Sequence, residues 1–138
     1  MIKVETLVNT TIENAWECWI NPEHIKNWYH ASVDWYVPFA ENDLKVGGKF
    51  KFTMSAIDAS ISFDFEGEYS KIIEYKHIEY QLADGRKVII TFEKQDNSIL
   101  VSEVFDPEEI NPHEYQKQGW QAILNNFKEY VEMHNNGY

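Results

Sequence analysis

The chain has 138 residues, enough for one domain that buries about 68% of the surface its unfolded form exposes. Its 12 basic against 23 acidic side chains leave a net charge of −11, a field that repels nucleic acid and anionic membrane surfaces. One cysteine excludes an internal disulfide, and residues 1–20 lack the basic start and unbroken apolar run of a signal peptide. No apolar stretch approaches the roughly 20 residues of a membrane-spanning helix, so a single cytoplasmic domain over 1–138 is expected, with neither membrane nor nucleic acid as partner.

In chain order, residues 2–8 place Ile2, Val4, Thr6 and Val8 on one face and Lys3 and Glu5 on the other, the alternation of a half-buried strand. Thr10-Thr11-Ile12-Glu13 has the Thr-x-x-Glu spacing of a capping box and opens a helix bearing Ala15, Trp16, Trp19 and Ile20. Asn21-Pro22 ends that helix, because proline disfavours helical geometry in the residue before it. The same pair can cap a second short helix through Trp28. Val33, Trp35, Val37 and Phe39 then alternate over 33–39, predicting a strand ahead of the polar turn Glu41-Asn42-Asp43.

Gly47-Gly48 leads into strands over 49–55, 60–73, 77–82, 87–94 and 98–105. Asp84-Gly85 and Asp96-Asn97 are turn dipeptides between consecutive strands, so the sheet reads as an antiparallel meander. Gly67, inside the longest strand, marks a bulge or bend, since glycine tolerates the geometry where curvature breaks a ladder. Asp106-Pro107 stops the strands, and Asn111-Pro112-His113-Glu114 supplies the start of a last helix. Its apolar stripe of Tyr115, Gly119, Trp120, Ile123, Leu124, Phe127, Tyr130 and Val131 follows helical spacing and is long enough to span the sheet. The expected class is α+β: a curved antiparallel sheet gripping a long C-terminal helix, with two short helices after strand one.

Several stretches in this order carry a family resemblance: Ala15-Trp16, Asn21-Pro22-Glu23, Trp28, Asp43 through Phe50, Phe65-Glu66-Gly67-Glu68-Tyr69 and Gly119-Trp120. With them the chain resembles the bacterial relatives of the heat-shock chaperone ATPase activator, within the START-like, birch-pollen-allergen-like helix-grip superfamily. The resemblance implies an antiparallel sheet wrapped around the C-terminal helix with a hydrophobic cavity between them. It implies no single chemistry, because that superfamily includes lipid carriers, hormone receptors, cyclases, oxygenase domains and a co-chaperone domain.

Trp28, Phe52, Phe63, Phe65, Tyr80 and Trp120 fall on inward faces in this plan, with Leu124 beside them on the helix stripe. Rings with polar tips suit a pocket for a flat apolar ligand, and the same spacing equally suits plain core packing. Trp28 and Trp120 lie nearest the helix starts, where such cavities open. Gly47-Gly48 lacks the further glycines and lysine of a phosphate loop and reads as a turn. The five histidines, at 24, 30, 77, 113 and 134, form no ligand spacing with each other or with Cys18, so neither metal nor cofactor is expected. Cys18 has no neighbouring base and reads as an inert half-buried thiol.

Asp64, Glu66 and Glu68 alternate away from the aromatics and read as a solvated face. Glu103 shares its alternation with Ile99, Val101 and Phe105, but the Leu100 and Val104 face is equally apolar, so which side of 98–105 turns inward stays open. An inward Glu103 would have a raised pKa suited to acid or base work, with Tyr80 and His77 the conceivable companions. The favoured expectation is a binder of a small hydrophobic or aromatic molecule, lipid, flavonoid or polyketide-like, without identifiable catalysis. The alternatives are an interaction module acting on a chaperone ATPase, as in the namesake relatives, and a cyclase- or hydrolase-like enzyme using the inward carboxylate. Exposed aromatics could also support a homodimer.

Overall fold

The computed structural model describes residues 1–134; residues 135–138, the end of the expected domain, and the side chain of His134 lie outside the described residues. The elements run β1 (Ile2–Val8), α1 (Ile12–Ile20), α2 (Pro22–Trp28), β2 (Trp35–Asn42), β3 (Lys49–Ala56), β4 (Ser62–Ile73), β5 (His77–Leu82), β6 (Lys87–Gln95), β7 (Ser98–Phe105) and α3 (His113–His134). Seven antiparallel strands form one sheet in the order β1-β7-β6-β5-β4-β3-β2. Strands β2 to β7 are the expected meander, and β1 closes onto its far edge by pairing Ile2 with Phe105 and Val8 with Ile99. The sheet curls around α3, whose Leu124, Phe127 and Val131 are fully buried against its concave face.

Local chemistry explains the element ends. The Asn21 side chain accepts from the Glu23 amide at 2.9 Å with Pro22 in the first turn, so one residue ends α1 and caps α2. Trp28 then ties α2 to α1: it is buried among Trp19, Tyr29 and Phe127, and its Nε1 donates to the Cys18 carbonyl at 3.0 Å. The β5–β6 turn places Gly85 at φ +94°, and the β6–β7 turn places Asp96 at φ +55°, a conformation aspartate tolerates better than most residues. Gly47, at φ +84°, and Gly48 make the turn expected of them. A Cβ on Gly48 would lie 2.1 Å from the Asp43 carbonyl oxygen.

Four expectations are corrected. The first cap is Thr11, accepting from the Asn14 amide, and not a Thr10–Glu13 box; Thr10 instead accepts from the Asn14 side-chain amide. Strand β2 begins at Trp35 and runs to Asn42 through the segment expected to turn, which leaves Val33 outside it and 83% exposed. A register shift between Tyr36 and Phe39, across Pro38 with its missing N–H, breaks the expected alternation, so Val37 is buried while Phe39 is not. Helix α3 starts at His113 rather than at the proline, with the Gln116 backbone N–H donating to the Pro112 carbonyl at 3.1 Å and its side chain gripping the preceding loop.

Gly67 is the fourth case. The irregularity of β4 falls between Tyr69 and Lys71, and Gly67 itself pairs regularly with Phe50 and Leu82. Its missing side chain serves packing: a Cβ there would lie 2.6 Å from the Phe50 ring, which lies over the glycine backbone. Gly67→Ala is therefore expected to destabilise the fold by about 1–3 kcal/mol by overpacking, measured by denaturant unfolding. Phe50→Leu in the same chain should recover part of that loss, whereas strictly additive losses would show that the ring is not the obstacle.

Candidate functional site

Inward-facing rings fill most of the space between sheet and helix. Phe50 contacts Phe52, Phe65, Tyr69 and Tyr80 with centroids 4.7–5.7 Å apart, and Tyr29 contacts Phe52 and Phe65 at 5.1 and 5.7 Å. What remains among Trp19, Tyr29, Phe50, Phe52, Tyr69, Ile78 and Tyr80 is a void of about 20 Å³, room for one water. The enclosed hydrophobic cavity implied by the resemblance is thus packed shut, because six-membered rings at these positions occupy it.

Ligand-sized apolar space lies instead at one open end of the grip. A cleft of about 290 Å³ runs between the first half of α3 and strands β2 to β4, with Trp35, Met54 and Phe63 on the sheet side and Tyr115, Gly119, Trp120 and Ile123 on the helix side. Its depth on the helix side comes from Gly119, where an added Cβ would meet nothing within 4 Å. Its rim is built by Gln116. That buried side chain donates to the Asn111 carbonyl at 2.8 Å and the Glu108 carbonyl at 3.1 Å, and accepts from the Glu108 amide at 2.9 Å, holding the loop against the helix. The chain's single arginine, Arg86, also lines the cleft, with Nε donating to Asp84 at 2.8 Å.

The sequence-expected residues separate into three places. Trp120 and Phe63 line the cleft; Phe63 is 47% exposed and meets Trp35 edge-on at 5.7 Å, and Trp120 stacks on Phe105 with centroids 3.9 Å apart and planes 10° from parallel. Phe52 and Tyr80 border the small void, and Phe65 stands between, its ring 6.2 Å from Trp120 and 6.4 Å from Tyr80. Trp28 and Leu124 border neither space and are solid core. Tyr29 at the void and Trp35 and Arg86 at the cleft join the residues expected from sequence. Tyr29 follows the end of α2 and so has no periodic signal, Trp35 carried only its strand alternation, and Arg86 was hidden as a turn residue.

Glu103 turns inward, which settles the open orientation of β7. It pairs with Val4 on one side and Ile90 on the other, it is 2% exposed, and Tyr29 and Tyr80 are the titratable groups that feel its charge. Loss of water raises its pKa from 4.5 to about 8, with no cation offsetting the burial. The same burial pushes Tyr29 and Tyr80 well above 10, so all three groups hold their protons near neutral pH. His77 does not join them: it faces outward on β5, its Nε2 2.8 Å from Glu79. Cys18 is buried with its thiol pushed up to about 11, first by burial and then by Glu17.

A broader depression of about 620 Å³ over β3 to β5 is lined by Val46, Phe50, Tyr69 and Leu82 as well as by Lys49, Lys51, Glu66 and Glu68, whose charges stand opposite one another as Lys49 to Glu68 and Lys51 to Glu66 and offset each other. Asp64 continues this set of charges, 3.6 Å from Lys51. Among the described residues no group of three or more His, Cys, Asp or Glu side chains is placed to hold a metal ion, and no helix is long and apolar enough to cross a membrane.

The family model described as activator of Hsp90 ATPase homolog 1-like protein matches residues 9–132. Among solved structures, the AHSA1-like protein from Aeromonas hydrophila is 36% identical, covering 96% of this chain and 94% of its own, with a TM-score of 0.89. Chr148 from Cytophaga hutchinsonii is 49% identical over 99% of this chain and 95% of its own, with a TM-score of 0.84. NE0264 from Nitrosomonas europaea shares only 13% identity at a TM-score of 0.84, covering 99% of this chain and 96% of its own, a likeness of fold alone. No curated protein matches the chain.

A carboxyl whose folded pKa exceeds its unfolded value binds a proton on folding between the two values. Its favourable share of stability is therefore present at low pH and lost as pH rises from 4.5 through about 8. Glu103→Gln is expected to match the parent near the lower value and to exceed it in stability above the upper one, by on the order of a few kcal/mol, in unfolding curves recorded across that range. A constant difference between the two proteins would mean that Glu103 is not titrating there.

Proposed function

The chain belongs to the activator of Hsp90 ATPase homolog 1-like family, and from that membership and the cleft between α3 and β2–β4 we propose that it binds a small hydrophobic or aromatic molecule there. The observation that carries the reading is the pairing of an apolar, aromatic-walled cleft with rings left uncovered at it: Phe63 and Tyr115 stay exposed although burying such side chains would stabilise the fold. At about 290 Å³ the cleft falls just below the usual range for ligand sites, roughly 300–1,000 Å³. A one- or two-ring body suits it better than a full sterol or a long lipid. Trp120, Phe63 and Trp35 supply flat contact area, and the rim residues Arg86, Glu108 and Asn111 supply polar edges.

The chaperone-activator alternative has no feature of the described residues in its favour beyond the family's name. The enzymatic alternative finds Glu103 inward beside Tyr80, but both are sealed from the cleft by Phe65 and Trp120, and His77 is on the other face. Binding is the reading the geometry supports.

Gly119 offers a direct test, because the space its side chain would take is the cleft itself. Gly119→Leu is expected to leave stability unchanged or raise it by about 0.5–1 kcal/mol through helix propensity, while weakening binding of naphthalene or flavone probes at least about tenfold. Quenching of tryptophan fluorescence and a probe-dependent rise in Tm read the binding. Undiminished binding by the variant would place the ligand elsewhere; no binding by the parent across one- and two-ring probes would remove the proposal.

A further inference from the structure

The end of the grip where the cleft opens carries more uncovered apolar surface than the cleft accounts for. Val33 before β2, Ile57 and Ile61 in the β3–β4 turn and Ile110 before α3 are 55–89% exposed, and none of them lines the cleft. The antiparallel sheet brings the start of β2 and the β3–β4 turn to this one end. There the Ile57 amide donates to the Asp34 carbonyl at 2.8 Å and the Ala56 amide to the Ile61 carbonyl at 2.9 Å. Ile110 adjoins Asn111, which shares the cleft wall with Phe63 and Tyr115. Leu7 on β1 and Ile73 at the β4–β5 turn, also exposed, sit at the opposite end of the sheet. A one- or two-ring ligand would cover Phe63 and Tyr115 and leave the four aliphatic tips in water. Clustered apolar surface of that kind marks an interaction site.

Each of the three loops also sets an acid beside its aliphatic tip: Asp34 follows Val33, Asp58 follows Ile57 and Glu109 precedes Ile110. All three acids are exposed, and none forms an ion pair among the described residues. The cation at the cleft, Arg86, is engaged with Asp84. A second copy of the chain would set acid against acid in a face-to-face contact. A lipid surface would require the carboxylates to leave water together with the aliphatic groups beside them, which is costly for an unpaired charge. A partner with basic side chains flanking an apolar stripe meets both features at once. The patch is made of loop tips and one helix face rather than of a strand edge. The partner's backbone must therefore satisfy its own hydrogen bonds, as a helix does.

From this pairing of apolar tips with unpaired acids we propose that the open end of the grip is a docking surface for a basic amphipathic helix of another protein. The helix lays its apolar stripe on Val33, Ile57, Ile61 and Ile110 and sets its lysines or arginines beside Asp34, Asp58 and Glu109. These residues lie outside the cleft, so the surface does not depend on a small molecule being bound there.

The test uses two labelled helical peptides of about five turns that share one leucine stripe and differ in the polar face, lysine in one and glutamate in the other. By fluorescence anisotropy the parent protein is expected to bind the lysine peptide at least about tenfold more tightly than the glutamate peptide. Replacing Val33, Ile57 and Ile110 together by Ser should weaken the lysine peptide at least about tenfold, whereas Leu7→Ser with Ile73→Ser should leave it unchanged. Asp34→Asn, Asp58→Asn and Glu109→Gln together should weaken it more than Glu74→Gln, Glu93→Gln and Glu129→Gln, which remove the same charge from other parts of the surface. Equal losses in the two charge variants would mean attraction by net charge alone and overturn the proposal. A parent dimer abolished by the serine variant would overturn it in favour of a second copy, and binding to phosphatidylcholine vesicles abolished by that variant would do so in favour of a lipid surface. No peptide preference in a parent protein that still binds naphthalene would overturn the docking surface and leave the cleft reading in place.

Discussion

Everything in this molecule depends on how a curved sheet fills its concave face. A sheet that curls around a helix leaves a wedge-shaped space, and an interior at normal packing density tolerates little of it empty. Here rings fill the wedge: Phe50, Phe52, Phe65, Tyr69 and Tyr80 from consecutive strands, Tyr29 from the α2 end and Trp120 and Phe127 from α3. Their close fit requires Gly67, since any side chain there would displace Phe50. The same fit leaves room for about one water in the interior, and a cleft opens where α3 carries Gly119 in place of a larger residue. The cleft is thus a consequence of packing that runs out at one end of the helix.

Burying Glu103 in that interior is a cost the aromatic packing does not need, since an apolar residue between Val4 and Ile90 would fit the same face. The cost is limited because the carboxyl keeps its proton, which in turn converts an anion into a donor. Tyr80 and Tyr29 are subject to the same physics, so three groups that would be mixed donors and ions in water become uniformly protonated. Charge therefore sits outside, as the opposed lysines and glutamates of β3 and β4, and neutral polarity sits inside.

Much of the fold was legible because strands and helices have different periods. The alternation of Val4 and Val8, of Ile78, Tyr80 and Leu82, and of Val88, Ile90 and Phe92 identified buried faces that the structure contains, and the turn dipeptides at 84–85 and 96–97 set the meander. Errors arose where local rules compete. Pro38 shifts the register of β2, so Phe39 leaves the face its spacing assigned, and Gly67 answers to a ring across the sheet and not to its own backbone. The candidate site was legible in its residue types and not in its grouping: Phe63, Phe65 and Tyr80 share a face by alternation, yet one lines the cleft, one the dividing wall and one the void.

By itself the sequence determined the class of fold, because period, turns and caps are local properties written into neighbouring residues. Only the tertiary structure decided which face of β7 is inside, since Leu100 and Val104 are as apolar as Val101 and Phe105 and the choice rests on β1 and β6 pairing across long separations. It also decided that the grip is filled and that space survives beside Gly119, because volume left between elements depends on how rings from eight different segments meet, and no single segment encodes that sum.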